Sequence, residues 1–170
     1  DAIGLVFVPG SKRCVDLAQA REVMSAVSPL VSVIGLFMDA ATADVAAVLD
    51  ALPLDALQFH GRESAEFCRQ FKRPYVKALA MGDGVDVAHA ASGYAGARGV
   101  LLDAHRSGEQ GGSGLSFDWS LIPPALAERI ILAGGLTPEN VAAAITQVRP
   151  YAVDVSSGIE SAPGIKCPRR

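Results

Sequence analysis

Short apolar runs alternate along the chain with longer stretches whose apolar residues recur at helical spacing. Seven runs read as strands, at 3–8, 31–38, 56–59, 75–80, 99–103, 130–133 and 152–155. Between them, Ala-rich stretches at 16–27, 42–52, 64–71, 85–94 and 138–148 carry the period of amphipathic helices. Thr137 is a good N-cap for the last of these, with Pro138 at its first helical position. The stretch 118–126 predicts a short helix interrupted by Pro123 and Pro124, since proline removes a backbone donor and clashes with the preceding turn. Strands alternating with helices build βαβ units and a parallel sheet.

Two of the runs end in Gly/Ser turns. Ile130-Ile131-Leu132-Ala133 leads into Gly134-Gly135 and then Leu136-Thr137-Pro138-Glu139-Asn140. Ala152-Val153-Asp154-Val155 leads into Ser156-Ser157-Gly158. In a parallel β/α protein such turns lie at the carboxyl ends of strands. Neighbouring turns of small residues aim backbone N–H groups, and the amino end of a helix, at one anion. In a barrel of eight βα units the phosphate site is often built from the loops after the last two strands. The expected ligand is a phosphorylated small molecule, cradled by Gly134, Gly135, Ser157 and Gly158. Asp103 closes the run Gly99-Val100-Leu101-Leu102, so its carboxyl is expected at the same face, where desolvation favours the protonated form. The plain alternative is a carboxylate capping the following loop.

Composition narrows the setting. The 170 residues suffice for one domain with a real core, and no linker, repeat or low-complexity tract divides them, so residues 1–170 are expected as a single domain. The chain is 50% hydrophobic and 19% charged, which fits a parallel sheet buried on both faces. The formal net charge is −3, with no basic stretch to make a nucleic-acid footprint. No apolar run approaches the ~20 residues of a membrane span, and no signal-peptide pattern opens the chain. Cys14, Cys68 and Cys167 are odd in number and form no CxxC, which favours a reduced, cytoplasmic protein. His60, His89 and His105 have no zinc-like spacing with them, so no metal is expected.

Several segments together resemble the phosphoribosylanthranilate isomerase family of tryptophan biosynthesis. They are Asp1-Ala2-Ile3-Gly4-Leu5-Val6-Phe7 with Pro9 and Ser11-Lys12-Arg13, Gln58-Phe59-His60-Gly61, and Leu101-Leu102-Asp103. Gly111-Gly112-Ser113-Gly114 leading to Phe117-Asp118-Trp119, Leu132-Ala133-Gly134-Gly135-Leu136, and Val153-Asp154-Val155-Ser156-Ser157-Gly158-Ile159-Glu160 continue the match in the family's order. The resemblance implies a TIM (βα)8 barrel, of whose eight strands seven are visible here. It implies an Amadori rearrangement of N-(5-phosphoribosyl)anthranilate to 1-(2-carboxyphenylamino)-1-deoxyribulose 5-phosphate, without metal or organic cofactor. Family members open with a strand carrying Lys-x-Cys-Gly and a helix, and close with a further helix. Neither unit is visible here, and Cys167 stands where the family usually has Asp. The expectation is an upstream βα unit, on the order of 20–25 residues by barrel size, whose cysteine is the catalytic base. Without it the terminal strands would have open edges, and the chain shown would be poorly soluble and inactive.

The resemblance also assigns roles. Asp103 is the acid that opens the ribosylamine ring. Arg13 takes the anthranilate carboxylate, a task that suits a planar guanidinium. Gln58 and His60 stand at the barrel mouth, His60 in a supporting role. Asp154 orients substrate hydroxyls. Gly112, Ser113 and Gly114 belong to a loop that closes over the phosphoribosyl group. Cys14 follows the second barrel strand, whereas the family base sits on the first, so Cys14 is expected to be a loop or helix-start cysteine and Cys68 a buried helix residue.

Rival readings are another phosphosugar barrel, such as a ribulose-phosphate epimerase or indole-glycerol-phosphate synthase, or a non-catalytic phosphate-binding fragment. Fold and phosphate site alone do not separate these; Gln58-Phe59-His60-Gly61 and the segment 111–119 favour the isomerase. The expected partner is the phosphorylated small-molecule substrate, with no nucleic acid and no membrane, and the chain is expected to be a monomer or homodimer.

Overall fold

A computed structural model describes residues 1–81, 85–104 and 117–169. Its contacts divide the chain into two units, Asp1–Lys77 and Ala78–Arg170. In the first, strands β1 (Ala2–Val6), β2 (Ser32–Phe37), β3 (Ala56–Phe59) and the start of β4 (Tyr75–Ala80) alternate with helices α1 (Leu17–Ala26), α2 (Thr42–Ala51) and α3 (Ala65–Arg69). Each strand pairs in parallel with the next; Ile3 lies opposite Val33, Leu36 opposite Gln58, and Gln58 opposite Val76. In the second unit, α4 (Val87–Ser92), β5 (Gly99–Asp103), β6 (Ile130–Leu132), α5 (Val141–Val148) and β7 (Ala152–Val153) follow. There Met81 N–H reaches Asp103 O, beside the end of β4. Strands β5, β6 and β7 are successive parallel neighbours.

Strands β3, β4 and β5 have the expected bounds. All five residues of β5 are buried, as the apolar composition requires. Strand β2 instead alternates between buried and half-buried positions, so only one of its faces meets the core. The last strand is shorter than its apolar run: β7 stops at Val153, and the Asp154 N–H still bonds to Leu132 O as the chain turns away. Three helices begin just after a side chain that satisfies their first amides. Asp16 forms a capping box with Gln19, Ser64 accepts from Phe67 N–H, and Asp86 accepts from His89 N–H.

The regular helix α5 begins at Val141 rather than Pro138. Thr137 O does accept from Val141 N–H, so a first turn forms there. The Thr137 hydroxyl accepts from Glu139 N–H and the Asn140 side chain accepts from Thr137 N–H, the reciprocal bonds of a capped start, with residues 138–140 forming a turn that leads into the regular helix. The expected helix at 118–126 is two 3₁₀ turns, Trp119–Leu121 and Pro124–Arg129, split at the prolines. An antiparallel hairpin after β7, made of β8 (Glu160–Ala162) and β9 (Ile165–Lys166), was not expected. Its turn holds Pro163-Gly164, with Gly164 at φ 83°, the positive φ that glycine adopts without strain.

The second unit packs an aliphatic core around Val100, Leu102, Ile130, Leu132, Ala144 and Val148. The first packs aromatic rings. Phe59 meets Phe37, Phe67, Phe71 and Tyr75 at centroid distances of 5.8–6.2 Å. Cys68 is buried in α3 as expected, and burial pushes its thiol up to about 11, so it stays protonated and inert.

Beside these rings lies a buried ion pair. Lys77 on β4 and Glu63 are 3.2 Å apart, with side chains 2% and 3% exposed. Lys77 Nζ also donates to the carbonyls of Phe59 and Gly61, the residues flanking His60. Glu63 accepts from Asp39 N–H at 2.8 Å, which ties the loop after β2 to the loop after β3. Removing one member of such a pair strands the other charge and is worth about 3–5 kcal/mol. Lys77→Met is therefore expected to lower unfolding stability by that order. Glu63→Gln keeps an acceptor for Asp39 but removes the Glu63 counter-charge from the buried Lys77, so it should cost a comparable amount. Urea unfolding midpoints compare them, and a Glu63→Gln loss far smaller than that of Lys77→Met would show that the carboxylate charge is not what Lys77 balances.

Candidate active site

The carboxyl ends of β5, β6 and β7 form one cleft, lined by Asp103, Ala133, Gly134, Gly135, Leu136, Asp154, Val155, Ser156 and Ser157. The structure thus brings together the second-unit candidates Asp103, Asp154, Gly134, Gly135 and Ser157. Asp103 is the last residue of β5 and is buried. Gly134 and Gly135 both have positive φ, 80° and 64°, so a side chain at either would strain the turn. A Cβ at Gly134 would also collide with the Ala104 backbone and lie 2.9 Å from an Asp103 carboxylate oxygen. Gly158 is needed for a different reason: a Cβ there would run into the carbonyl of Leu136. The two Gly/Ser turns pack on each other at that point.

In the first unit, Gln58 is buried, and its Nε2 lies 2.8 Å from His60 Nε2. Which partner donates depends on the imidazole tautomer. The His60 backbone N–H bonds to Phe37 O at 2.8 Å. Arg13 is half-buried in the loop after β1, its N–H on the Ser11 hydroxyl at 3.2 Å. Cys14 is exposed and bridges back to Val6, a loop position as expected. Gly112, Ser113 and Gly114 lie outside the described residues.

Two residues at the cleft's margin escaped the sequence reading. Asn140 Nδ2 donates to Gly135 O at 2.9 Å, and its Oδ1 accepts from Thr137 N–H at 2.8 Å. Lys166 Nζ donates to Ser156 O at 2.8 Å and pairs with Glu160 at 3.2 Å. Their partners are backbone groups of the turns, which leave no side-chain pattern to read. The dipeptide Pro163-Gly164, which marks the hairpin carrying Lys166, was the available clue.

Among the described residues, no cluster of His, Cys, Asp or Glu is arranged to hold a metal ion. None of the described helices is long and apolar enough to cross a membrane.

The electrostatics of the cleft set its two carboxyls against each other. Asp154 is held above the ordinary carboxylate range, first by desolvation and then by the negative charge of Asp103, with Lys166 opposing. The residue as a whole still opens to solvent, and water reaching the carboxyl moderates the shift without changing its direction. An acid whose folded pKa is raised binds its proton more readily in the native state. Stability therefore falls as pH rises from the ordinary value of 3.8 through the raised one. Asp154→Asn removes this loss. The difference in Tm between the variant and the parent should grow over that pH window and then level off. A difference that stays flat would mean that Asp154 titrates as an ordinary surface acid.

Residues 1–169 match the family description "N-(5'phosphoribosyl)anthranilate (PRA) isomerase". An N-(5'-phosphoribosyl)anthranilate isomerase of Pseudomonas fluorescens (strain SBW25) is 55% identical over 166 residues, covering 98% of this chain and 79% of its own length. The crystal structure of phosphoribosyl anthranilate isomerase from Thermotoga maritima matches with a TM-score of 0.85 and 40% identity, over 98% of this chain and 82% of that one. A crystal structure of the isomerase in complex with reduced 1-(o-carboxyphenylamino)-1-deoxyribulose 5-phosphate matches at TM-score 0.82 and 38% identity, over 98% and 81% of the two chains. Parallel βα units in sequential order, a cleft at the strand ends and these similarities agree: the chain belongs to the phosphoribosylanthranilate isomerase family.

Proposed function

We propose that the chain catalyses the Amadori rearrangement of N-(5-phosphoribosyl)anthranilate in tryptophan biosynthesis. The observation that carries this reading is the cleft in which an acid at the end of β5 stands beside the two Gly/Ser turns. The reaction needs that pairing, because the reacting ring and the phosphate belong to one small molecule.

Asp103 donates a proton to the furanose oxygen, and the C1–O bond breaks to leave the open-chain imine. A base on the other side of the sugar then removes the C2 proton. The electrons move into the C–C bond to form an enolamine, which becomes the ketone. Burial of Asp103 supports the acid role, since a dry carboxyl keeps its proton more easily. The family resemblance gives the base to a cysteine of the family's first barrel strand rather than to Cys14. Arg13 takes the anthranilate carboxylate. Asp154 orients the sugar hydroxyls, with Gln58 and His60 supporting the mouth of the barrel. Gly134, Gly135, Ser157 and Gly158 hold the phosphate, joined by Gly112, Ser113 and Gly114 when the ligand is bound.

Residues 1–170 act as one barrel domain, as a monomer or as a homodimer of independent sites. No group beyond the side chains is required, because the chemistry is proton transfer alone. Free thiols at Cys14, Cys68 and Cys167 support a reducing cytoplasmic setting. Loss of anthranilate-adduct fluorescence, with the substrate made in place from anthranilate and phosphoribosyl pyrophosphate, tests the activity. Phosphosugar binding without turnover would favour the non-catalytic reading.

Two substitutions divide the roles. Asp103→Asn keeps the shape and removes the proton, so kcat should fall by about 10²–10⁴-fold, the usual worth of general acid catalysis. Binding of a reduced product analogue should stay close to that of the parent. A variant that retained most of its kcat would remove Asp103 as the acid. Arg13→Met should weaken substrate binding by about 2–4 kcal/mol, the scale of a lost charge-assisted contact, while slowing the chemistry less. An aniline analogue without the carboxylate should be handled alike by parent and variant, and a persistent difference would assign Arg13 elsewhere.

A further inference from the structure

The turns after β6 and β7 are each gripped by a side chain that is not part of the cleft wall. Asn140 holds the Gly135 carbonyl, and Lys166 holds the Ser156 carbonyl. Gly135, Leu136, Ser156 and Ser157 do line the cleft. Peptide groups are planar, and none in the described chain is cis. In a trans peptide the C=O of one residue and the N–H of the next point in opposite directions. A grip on the Gly135 carbonyl from behind therefore turns the Leu136 N–H forward. A grip on Ser156 does the same for the Ser157 N–H. The next peptide along the first turn is reversed: the Thr137 N–H goes back to Asn140 Oδ1, and the Leu136 carbonyl faces Gly158. One asparagine thus sets two successive peptide planes.

Lys166 is itself held. Glu160 lies opposite it in the hairpin register, with its carboxylate 3.2 Å from Nζ and its side chain only 5% exposed. The Cys167 N–H bonds to Ile159 O at 2.8 Å and closes the hairpin onto the 3₁₀ turn Ser157–Ile159. The ammonium is thus fixed on the carbonyl side of the Ser156–Ser157 peptide, where its charge polarises the amide and strengthens the N–H as a donor.

We propose that Asn140 and Lys166 are positioning residues for phosphate binding, aiming the Leu136 and Ser157 N–H groups into the cleft by gripping the carbonyls of the same peptides. The inference deepens the phosphate role given to these turns and rests on it. A merely structural role, satisfying turn carbonyls, would change stability and leave anion affinity alone.

The test titrates inorganic phosphate into the full chain and follows ¹H–¹⁵N amide shifts, for the parent, Lys166→Met, Lys166→Arg and Asn140→Asp. Asn140→Asp keeps the acceptor for Thr137 N–H and removes the donor to Gly135 O. Phosphate should move the Leu136 and Ser157 amides of the parent. Lys166→Met and Asn140→Asp should each weaken binding on the order of tenfold, the worth of one hydrogen bond to a charged group. Lys166→Met should diminish mainly the Ser157 response, and Asn140→Asp mainly the Leu136 response; simple charge repulsion from the new aspartate would diminish both alike. Lys166→Arg should restore most of the affinity. If both disrupting variants bind phosphate within about twofold of the parent, less than one hydrogen bond is worth, the positioning roles are overturned and the phosphate reading stands. If the parent's shifts avoid residues 134–137 and 155–158, the phosphate reading fails and takes the positioning roles with it.

Discussion

A parallel strand that ends leaves backbone donors and acceptors with no ladder to join, and buried groups of that kind must find partners. The strand ends of this chain are organised by how a few side chains meet that demand. In the first unit, Lys77 takes the carbonyls on both sides of His60, and Glu63 takes the amide of Asp39. In the second, Asn140 and Lys166 take carbonyls of the Gly135 and Ser156 turns. Each of these groups joins pieces of chain that local sequence alone would leave independent. The loops that carry the candidate chemistry are therefore set by long-range polar contacts as much as by the strands that lead into them.

The cleft has to reconcile opposite electrostatic demands. Burial and the negative charge of Asp103 both favour the protonated form of Asp154. The phosphate proposed for the turns would need donors and positive potential. The chain separates these demands by direction. The carboxyls stand at the strand ends, while the cation at Lys166 sits behind a peptide, paired with Glu160. On the proposed reading, backbone amides would carry its influence forward without placing a mobile ammonium beside the carboxyls, where it would favour their ionised forms.

Much of the fold was legible because burial and capping are local signals. The bounds of β3, β4 and β5 follow from short, mainly apolar runs, interrupted by Gln58 in β3 and Lys77 in β4 and closed by Asp103 in β5, and the starts of α1, α3 and α4 follow from Asp16, Ser64 and Asp86. The capping signal at Thr137 is real, but the turn 138–140 that it starts becomes regular helix only at Val141. The hairpin β8–β9 escaped because strands of three and two residues carry no period. Among the cleft residues, Asp103, Gly134, Gly135, Asp154 and Ser157 could be found because each lies at or just after the end of an apolar run. Lys77 in the first unit, and Asn140 and Lys166 behind the turns of the second, could not. Lysine and asparagine at such positions read as solvated side chains, and their partners are carbonyls that every residue has.

The hairpin also makes chain length, rather than composition, the tightly restricted quantity at its end of the molecule. Side chains alternate between the two faces of a strand, and Lys166 reaches Ser156 only because the Pro163-Gly164 turn sets it opposite Glu160. Adding or deleting one residue there would move the lysine to the other face, however well the surrounding sequence were preserved. Ser161 and Ala162 are exposed and can vary freely by comparison. Across natural variants, this stretch should therefore accept many substitutions and very few insertions.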